Sequence, residues 1–299
     1  MSINVIAGAR GELSDMYDAA RASNSSPNLE VMQRVKGAAR VRFGASGEKT
    51  RLEDLYQSGS AKIRLPKVYD SAPTAVLLNT AGGLTGGDEL AYEVEAGNGS
   101  HAIVTSQTAE RAYRSSGGSA KVTGRLGVGK DATLEWLPQE TILFEASGLQ
   151  RTISADLEAN ARLMMLETVV LGRTAMGEQV RSVLFKDSWR IRRDNKLIFA
   201  DNIRLAGDPV KILKGTATAH GGHCFATFAD FALDAEDRLD LARSCFETLP
   251  GKTTRAAASA WNGLLVARFV SSDSRDLRNA LMTFLTRYRS ADLPRVWHC

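Results

Sequence analysis

The chain has 299 residues, of which 43% are hydrophobic and 24% are charged, a composition typical of soluble globular proteins. Its formal net charge is only +4 and the basic residues are dispersed, which argues against a nucleic-acid or acidic-membrane partner. No stretch approaches the roughly 20 apolar residues that a membrane-spanning helix needs, and no signal-peptide block opens the sequence. The odd number of widely separated cysteines, Cys224, Cys245 and Cys299, predicts a reduced, cytoplasmic protein.

The first 34 residues are polar and have no clear period, so we expect a mostly flexible N-terminal arm with a short helix near 13–22. From residue 35 to about 231 the chain consists of short segments rich in Val, Ile, Leu and Thr, separated by Gly, Asn, Asp and Ser. The clearest predicted strands are 38–43, 74–79, 102–106, 121–128, 161–172, 181–193 and 196–200.

The spacing of these strands leaves no room for regular crossover helices, which argues against a doubly wound α/β sheet. We therefore predict a β-rich fold (mainly β, α+β), a large antiparallel-rich assembly built as layered sheets or as a β-helix-like coil. Two helices are predicted near the C-terminus, at 236–248 and 276–290, with a strand at 263–270 between them. The segment 274–276 offers an N-cap for the second helix. Residues 35–299 are expected to form a single domain.

The segment AGGLTGGD at 81–88 must bend the backbone or admit a close neighbour, because it contains Gly82, Gly83, Gly86 and Gly87. A Walker phosphate loop would need a lysine where Asp88 follows, and the carboxylate would repel a phosphate. A dinucleotide fingerprint would need a helix next, whereas DELAYEVEA alternates like a strand. A structural hairpin and a functional loop for a phosphorylated ligand both remain open.

Three acidic residues stand in settings that call for a partner. Asp88 follows paired glycines, where a partner or a cation could reach it, although a turn aspartate that binds its own backbone is common. Glu167 lies in a continuous apolar run typical of a strand buried on both faces, so its carboxylate needs compensation. An arginine such as Arg173 could supply it, or Glu167 could line a wet internal passage. Asp201 follows the apolar run LIFA and presents a similar case.

The segment QTAERAYRS at 107–115 alternates charged and aromatic residues. Glu110, Arg111, Tyr113 and Arg114 would form either an exposed contact patch or a solvated strand edge. The sequence leaves the two interpretations equally open.

The segment HGGHC places His220, His223 and Cys224 at a spacing that could supply three ligands to Zn²⁺ or Ni²⁺. A fourth ligand is not evident nearby. Two glycines beside histidines are more typical of a turn that carries its imidazoles incidentally.

Catalytic patterns are missing, since the chain has no GxSxG, HExxH or CxxC segment. Six other segments occur in a fixed order: NTAGGLTGGDEL, TSQTAERAYRS, LEWLPQETILF, LGRTAMGE, DSWRIRRDNKLIFAD and LPRVWHC. This ordered set resembles the urease accessory protein UreD family, called UreH in some species, over roughly residues 35–299. The single segments are moderately specific, and the set in this order is highly specific.

The resemblance implies a non-enzymatic, β-rich scaffold with helices toward its C-terminal end. Such a protein binds apo-urease and the accessory proteins UreF and UreG, and a dimer is one form it takes within the accessory complex. It is expected to pass nickel through an internal water-filled tunnel without holding the metal permanently. UreG is the GTPase of the system, so no nucleotide is expected to bind this chain.

The resemblance also singles out individual residues. The acids that it implies along a nickel path are Asp88, Glu110, Glu167, Glu178 and Asp201, although many family members carry a small or basic residue at the position of Glu110. The residues expected to form motif or partner contacts are Gly82, Gly83, Gly86, Gly87, Tyr113, Arg114 and Arg173. Two alternatives are kept: a protein that binds a phosphorylated ligand through 82–87, and a stable metal site at HGGHC.

Overall fold

The computed structural model describes residues 34–68, 72–173 and 177–298, and most of these residues lie in strands. The strands are β1 (Lys36–Ser46), β2 (Lys49–Gly59), β3 (Ala61–Arg64), β4 (Thr74–Asn79), β5 (Glu89–Ala96), β6 (His101–Ser106), β7 (Glu110–Ala112), β8 (Ala120–Val128), β9 (Thr133–Trp136), β10 (Thr141–Leu143), β11 (Ser147–Leu157), β12 (Arg162–Leu171), β13 (Val183–Arg193), β14 (Lys196–Gly207), β15 (Cys224–Asp230), β16 (Arg255–Trp261) and β17 (Leu264–Ser271). The helices are α1 (Pro209–Leu213), α2 (Leu239–Phe246) and α3 (Ser274–Arg289), with 3₁₀ turns at Glu236–Arg238 and Arg295–His298.

The strands form two sheets. Sheet A has seven strands in the order β14-β13-β11-β8-β5-β1-β2. Sheet B has ten, with the order β16-β17-β15-β12-β9-β6-β4-β3 and with β10 joining β12 to the short β7. The predicted β-rich fold with layered sheets is therefore confirmed, as is the strand that was expected directly after the glycine segment.

The expected antiparallel bias is wrong, because most strand pairings in the described ranges are parallel. Sheet A pairs β1, β5, β8, β11 and β13 in parallel, and sheet B does the same for β4, β6, β9 and β12. The chain alternates between the sheets, so each strand of one sheet serves as the crossover for the next strand of the other. This coil gives parallel neighbours without crossover helices and corresponds to the β-helix-like form of the predicted fold.

In a strand that is covered on one face, every second side chain is buried. In β12, which is covered on both faces, burial is continuous. On β5 every second residue is buried, whereas all nine positions of β12 after Arg162 are buried or half-buried. One apolar core lies between the sheets and contains Met165 and Val169. A second lies between sheet B and the helices and contains Leu166 and Val170. The molecule is thus layered as sheet, sheet and helices, and the expected burial of this strand on both faces is confirmed.

Both predicted C-terminal helices are present with shifted ends. The first begins as the 3₁₀ turn Glu236–Arg238 and continues as α2, while the second is α3. The N-cap of α3 is Asp273, whose side chain accepts a hydrogen bond from the backbone N–H of Asp276, so the cap lies one residue before the predicted segment. The short helix α1 was not predicted; Asp208 caps it and Pro209 opens it.

The described residues from Arg34 onward form one compact unit. The arm predicted for residues 1–34 and its short helix at 13–22 lie outside the described residues, except for Arg34. The domain boundary at residue 35 stays a prediction.

A buried carboxylate fixes the helix layer to sheet B. Asp230, at the end of β15, is 1% exposed and accepts hydrogen bonds at 2.8 Å from the hydroxyl of Tyr288 on α3 and from Nη1 of Arg238. The Arg238 guanidinium also lies 3.9 Å from the centre of the Tyr288 ring. Burial raises the pKa of the Tyr288 hydroxyl, and the neighbouring Asp230 carboxylate raises it further, so Tyr288 stays a hydrogen-bond donor.

We expect Asp230→Ala to destabilise the protein by about 3 kcal/mol, because it leaves a buried hydroxyl and a largely buried guanidinium without their shared acceptor. Urea unfolding followed by circular dichroism measures the change. The matched control is Asp234→Ala, which breaks an exposed ion pair with Arg162 and should cost less than about 1 kcal/mol. Equal losses in the two variants would show that Asp230 does not anchor the helices.

Candidate metal path between the sheets

The glycine segment is a packed turn that crosses from β4 in sheet B to β5 in sheet A, and we call it the glycine turn. A side chain at Gly83 would meet the Tyr113 ring at 2.2 Å, and one at Gly86 would meet backbone and side-chain oxygens at 2.0–2.2 Å. The backbone N–H groups of Gly82 and Gly87 donate to carbonyl groups of the protein. The structure therefore favours a structural role over a phosphate-binding loop, but the predicted hairpin is wrong, because β4 and β5 belong to different sheets and do not pair.

Asp88 behaves as a turn aspartate. It is 2% exposed, and its two oxygens each accept a backbone N–H at 2.8 Å, one from Val35 and one from Thr85. The expectation that a partner or cation reaches this carboxylate is not supported, because both oxygens are occupied and the group is buried. Through these two hydrogen bonds Asp88 connects the residue before β1 to the glycine turn.

A cavity of about 240 Å³ runs inward from the glycine turn, between the two sheets. Its exposed rim includes Gly82, Thr108 and Arg111, and its inner end is lined by Arg151 and Glu167. A second cavity of about 10 Å³, room for roughly one water molecule, is also lined by Arg151 and Glu167 and extends to Asp201. The two cavities thus meet at one pair of charged side chains and define a candidate path through the sandwich.

The junction is a buried cluster of three charged groups. Arg151 on β11 lies beside Asp187 on the neighbouring β13 and donates to it through Nε at 3.1 Å and Nη2 at 2.6 Å. Its Nη1 forms an ion pair with Glu167 on β12, across the gap between the sheets, and also donates to the hydroxyl of Thr141. Glu167 takes a further hydrogen bond of 2.9 Å from the indole N–H of Trp136.

One guanidinium compensates two carboxylates in this cluster, and all three side chains are at most 6% exposed. Burial raises the pKa of Glu167 to about 7, because the lost hydration of the carboxylate outweighs its attraction to Arg151, and the nearby Asp187 charge acts in the same direction. The ion pair that the sequence analysis allowed with Arg173 is made with Arg151 instead. With all three groups ionised, the cluster carries one negative charge that Arg151 does not compensate.

The outer end of the path is Asp201 on β14. Its Oδ2 accepts a hydrogen bond of 2.8 Å from Nη2 of Arg268, which belongs to β17 of the opposite sheet. Nη1 of Arg268 donates to the buried hydroxyl of Thr227 at 2.6 Å. The side chain of Asp201 is 18% exposed and that of Arg268 is 44% exposed, so this pair lies where the passage reaches the surface.

Glu110 lies near the opposite end, on β7, and is half-buried along the large cavity. Its Oε1 accepts from the Asn79 side chain at 3.3 Å and from the backbone N–H of Arg111 at 3.1 Å. Burial raises the pKa of this carboxyl, with the two hydrogen bonds acting against the shift. Glu110, Glu167 and Asp201 therefore line the cavities, while Asp88 does not.

Glu178 lies away from the two cavities and closes a loop. Its carboxylate accepts backbone N–H groups from Glu145 and Arg173, and it forms an ion pair of 2.9 Å with Nε of Arg173. Burial opposes its ionisation, but these hydrogen bonds outweigh that effect and lower the pKa of Glu178. Arg173 also stacks 4.6 Å from the centre of the Phe144 ring, so both residues hold local structure.

Tyr113 and Arg114 contact the glycine turn and do not line the two cavities. The Tyr113 hydroxyl donates to the carbonyl of Gly82 at 3.3 Å, and its ring meets Phe144 edge-on. The carbonyl of Arg114 accepts the Thr85 hydroxyl at 2.9 Å. Both side chains are exposed, so they remain available to a partner.

The HGGHC residues do not assemble a metal site in the described structure. His220 sits in a turn with φ of 49°, and the Cys224 thiol is buried and donates to the carbonyl of Ser271. Burial raises the pKa of the Cys224 thiol to about 12, which disfavours the thiolate that a metal needs. Within residues 34–68, 72–173 and 177–298, no three His, Cys, Asp or Glu side chains group as metal ligands.

Sequence reasoning missed Arg151, Asp187 and Arg268, which supply half of the charged passage. A signal was present: Arg151 stands between Leu149 and Ile153, and Asp187 between Phe185 and Trp189, at the inward positions of alternating strands. Side chains of a strand alternate between its two faces, so a charged residue between two inward-facing apolar residues also points inward. Such a buried charge needs a partner.

The fold and the site together define a class of protein. It is a two-sheet β scaffold, backed by helices, whose interior holds carboxylates that are paired with arginines.

The comparisons identify the family within that class. The sequence model described as "UreD urease accessory protein" matches residues 35–298. Urease accessory protein UreD of Chelativorans sp. (strain BNC1) is 44% identical over 89% of this chain and 95% of its own length. The UreD protein of Jannaschia sp. (strain CCS1) is also 44% identical, over 89% and 96%, and that of Methylobacterium sp. (strain 4-46) is 41% identical over 92% and 99%.

The chain belongs to the UreD family of urease accessory proteins. The resemblance drawn from the ordered segments is therefore confirmed, and membership gives the chain a role in urease maturation. Among the described residues, no helix combines the length and the apolar character that crossing a membrane requires.

Glu167 gives the protein a testable pH dependence. A carboxyl group whose pKa is raised from 4.5 to about 7 by folding stabilises the native state most below pH 4.5, and that contribution is lost as the pH rises through about 7. We expect the unfolding free energy of the native sequence to fall relative to that of Glu167→Gln between pH 4.5 and 7.5, by at most about 3 kcal/mol.

Urea unfolding at several pH values measures this difference. The control is Asp156→Asn, which removes an exposed carboxylate from the same strand as Arg151. A Glu167→Gln curve that runs parallel to that of the native sequence would contradict the raised pKa.

Proposed function

We propose that the chain is a non-enzymatic scaffold that passes nickel toward the active site of urease. Family membership supports the role in urease maturation. The single structural observation in favour of a nickel path is the pair of cavities that meet at Glu167 and that also contact Glu110 and Asp201. The resemblance implied five acids along a path; these three line a cavity, whereas Asp88 and Glu178 line neither of the two cavities.

The chemistry of the lining favours transit over storage. Nickel is held tightly by imidazole and thiolate groups, whereas the charged side chains along these cavities are carboxylates and arginines. Separate carboxylates attract a divalent cation but do not enclose it, and movement along a path requires each stop to be weak. Nickel is thus a cargo of the protein and not a resident cofactor.

The proposed partners are apo-urease, UreF and the GTPase UreG, with this chain as the bridge between them in the cytoplasm. The exposed side chains of Tyr113 and Arg114, beside the rim of the large cavity, are suited to a partner that delivers or receives the metal. The glycine turn supports a division of labour in which UreG alone binds nucleotide, because the backbone N–H groups of Gly82 and Gly87 donate within this chain. A dimer within the accessory complex is part of this proposal.

Reconstitution tests the function. Purified apo-urease is incubated with UreF, UreG, nickel, bicarbonate and GTP, with and without this chain, and urease activity is measured. We expect activation to depend on the chain. Equal activation in its absence would refute the proposed role.

The path residues can be tested separately. Glu110→Gln, Glu167→Gln and Asp201→Asn are nearly isosteric and are expected to lower the nickel content of urease several-fold, because each removes a negative charge from a cavity wall. Glu178→Gln is the control, since it removes a carboxylate that lies outside both cavities. Metal analysis of the urease and co-purification with UreF are the two measurements. Loss of UreF binding in the cavity variants would make those residues structural instead.

A further inference from the structure

Two of the three carboxylates along the passage are closed off by arginines. Glu167 is paired with Arg151 at the junction of the cavities, and Asp201 is paired with Arg268 at the outer end. We call the first pair the inner gate and the second the outer gate. Glu110, near the other mouth, accepts only neutral donors, the Asn79 amide and the Arg111 backbone N–H.

The strand register places the two gates in sequence along one row. Glu167 on β12 lies opposite Thr227 on β15, and Thr227 lies opposite Arg268 on β17. The Cα atoms of Glu167 and Arg268 are therefore two strand spacings apart, or about 10 Å. The buried hydroxyl of Thr227 lies between them and already accepts a hydrogen bond from Arg268. A cation that leaves the inner gate reaches the outer gate through the small cavity, which is lined by Thr227 and by apolar side chains such as Val169 and Phe225.

Each gate opposes a cation through charge. A metal ion can bind Glu167 or Asp201 only if the arginine moves away, because a guanidinium and a metal ion on one carboxylate repel each other. A monovalent ion would replace the charge of the arginine but not its directed hydrogen bonds. A divalent ion brings twice the charge and can compensate both. The inner gate also holds its arginine nearby, since Asp187 keeps two hydrogen bonds to Arg151.

We propose that Arg151 and Arg268 are specificity-determining residues that act as two gates in series, so that divalent cations pass one step at a time and monovalent cations are rejected. The proposal rests on the proposed function only in taking nickel as the cation. In this mechanism the arginines keep the resting path empty, and each displaced guanidinium returns to its carboxylate after the ion has moved on. The gates make retention of nickel weak, which a transfer protein needs.

The outer gate gives the first test, because its arginine is exposed and its replacement should not disturb folding. Ni²⁺ alone is the probe, and its binding to the purified full chain is measured by equilibrium dialysis in 0.1 M KCl. We expect Arg268→Gln to retain nickel about tenfold more tightly, since it frees Asp201 from a competing positive charge. Addition of Asp201→Asn to this variant should return binding to the native level.

The matched control is Arg162→Gln. Arg162 is 44% exposed, as Arg268 is, and forms an ion pair of 2.9 Å with Asp234 away from the cavities. Both variants lose one positive charge and one ion pair, so a general electrostatic effect would alter them equally. Equal nickel binding by Arg268→Gln and Arg162→Gln would overturn the outer gate.

The inner gate needs a variant that preserves the buried charge balance. Arg151→Gln alone would leave two buried carboxylates without a cation and is expected to unfold the protein. The double variant Arg151→Gln/Asp187→Asn removes one charge of each sign and leaves Glu167 in place. We expect it to retain nickel about tenfold more tightly and to lose that gain when Glu167→Gln is added, with thermal denaturation confirming the fold.

The potassium in the buffer tests the selectivity. Raising KCl from 0.1 to 0.5 M in the presence of a constant amount of nickel should weaken binding more in the gate variants than in Arg162→Gln, because a carboxylate without its arginine no longer rejects potassium. Equal weakening in the gate variants and in Arg162→Gln would overturn the charge argument. Because these experiments use nickel and this chain alone, a failed gate and a failed role in urease activation give different results. The reconstitution with urease detects only the second.

Discussion

A single guanidinium shared by two carboxylates determines the interior of this sandwich. Arg151 holds Asp187 on its own sheet and Glu167 on the other, and all three lie in a core that is otherwise apolar. Charged groups buried in this way add little to stability, because apolar residues of similar volume often pack at lower cost. The cluster is therefore better explained by a requirement of function than by a requirement of folding. A protein that only needed to hold its sheets together would fill this space with residues such as Met165 and Val169.

The residues that stand out in the sequence and the residues that line the passage are mostly different. The glycine segment and Asp88 stand out in the sequence, yet they shape the turn between the two sheets and the start of β1, while Glu178 and Arg173 close a neighbouring loop. The chemistry of the passage comes from residues inside ordinary strands. The sequence markers of the family and the groups suited to handle a cation thus overlap only in part.

Local patterns were sufficient for the strands named from the sequence, both C-terminal helices and the double burial of β12, because period and composition decide these within a few residues. They did not single out β11, which carries Arg151. They were not sufficient for strand direction, which depends on whether the next strand joins the same sheet or the opposite one. The same limit applies to the site. Glu167 could be recognised as a buried acid in need of a partner, but its partner lies 16 positions earlier on the other sheet. Arg173, only six positions away, was the nearer and wrong choice. Arg268 is 67 positions from Asp201, beyond the reach of any local rule.

Register is the constraint that connects the coil of strands to the passage. Side chains alternate between the faces of a sheet, so a slip of one residue in β11 would turn Arg151 outward and bring Gln150 or Thr152 into the core. The parallel pairing of β11 with β8 and β13 over nearly their whole length fixes that position on both sides. The large apolar core thereby does more than stabilise the fold: it holds three charged side chains at one level, where they face each other across the sheets. A passage built in this way requires a rigid sandwich around it, and only the arginines need to move.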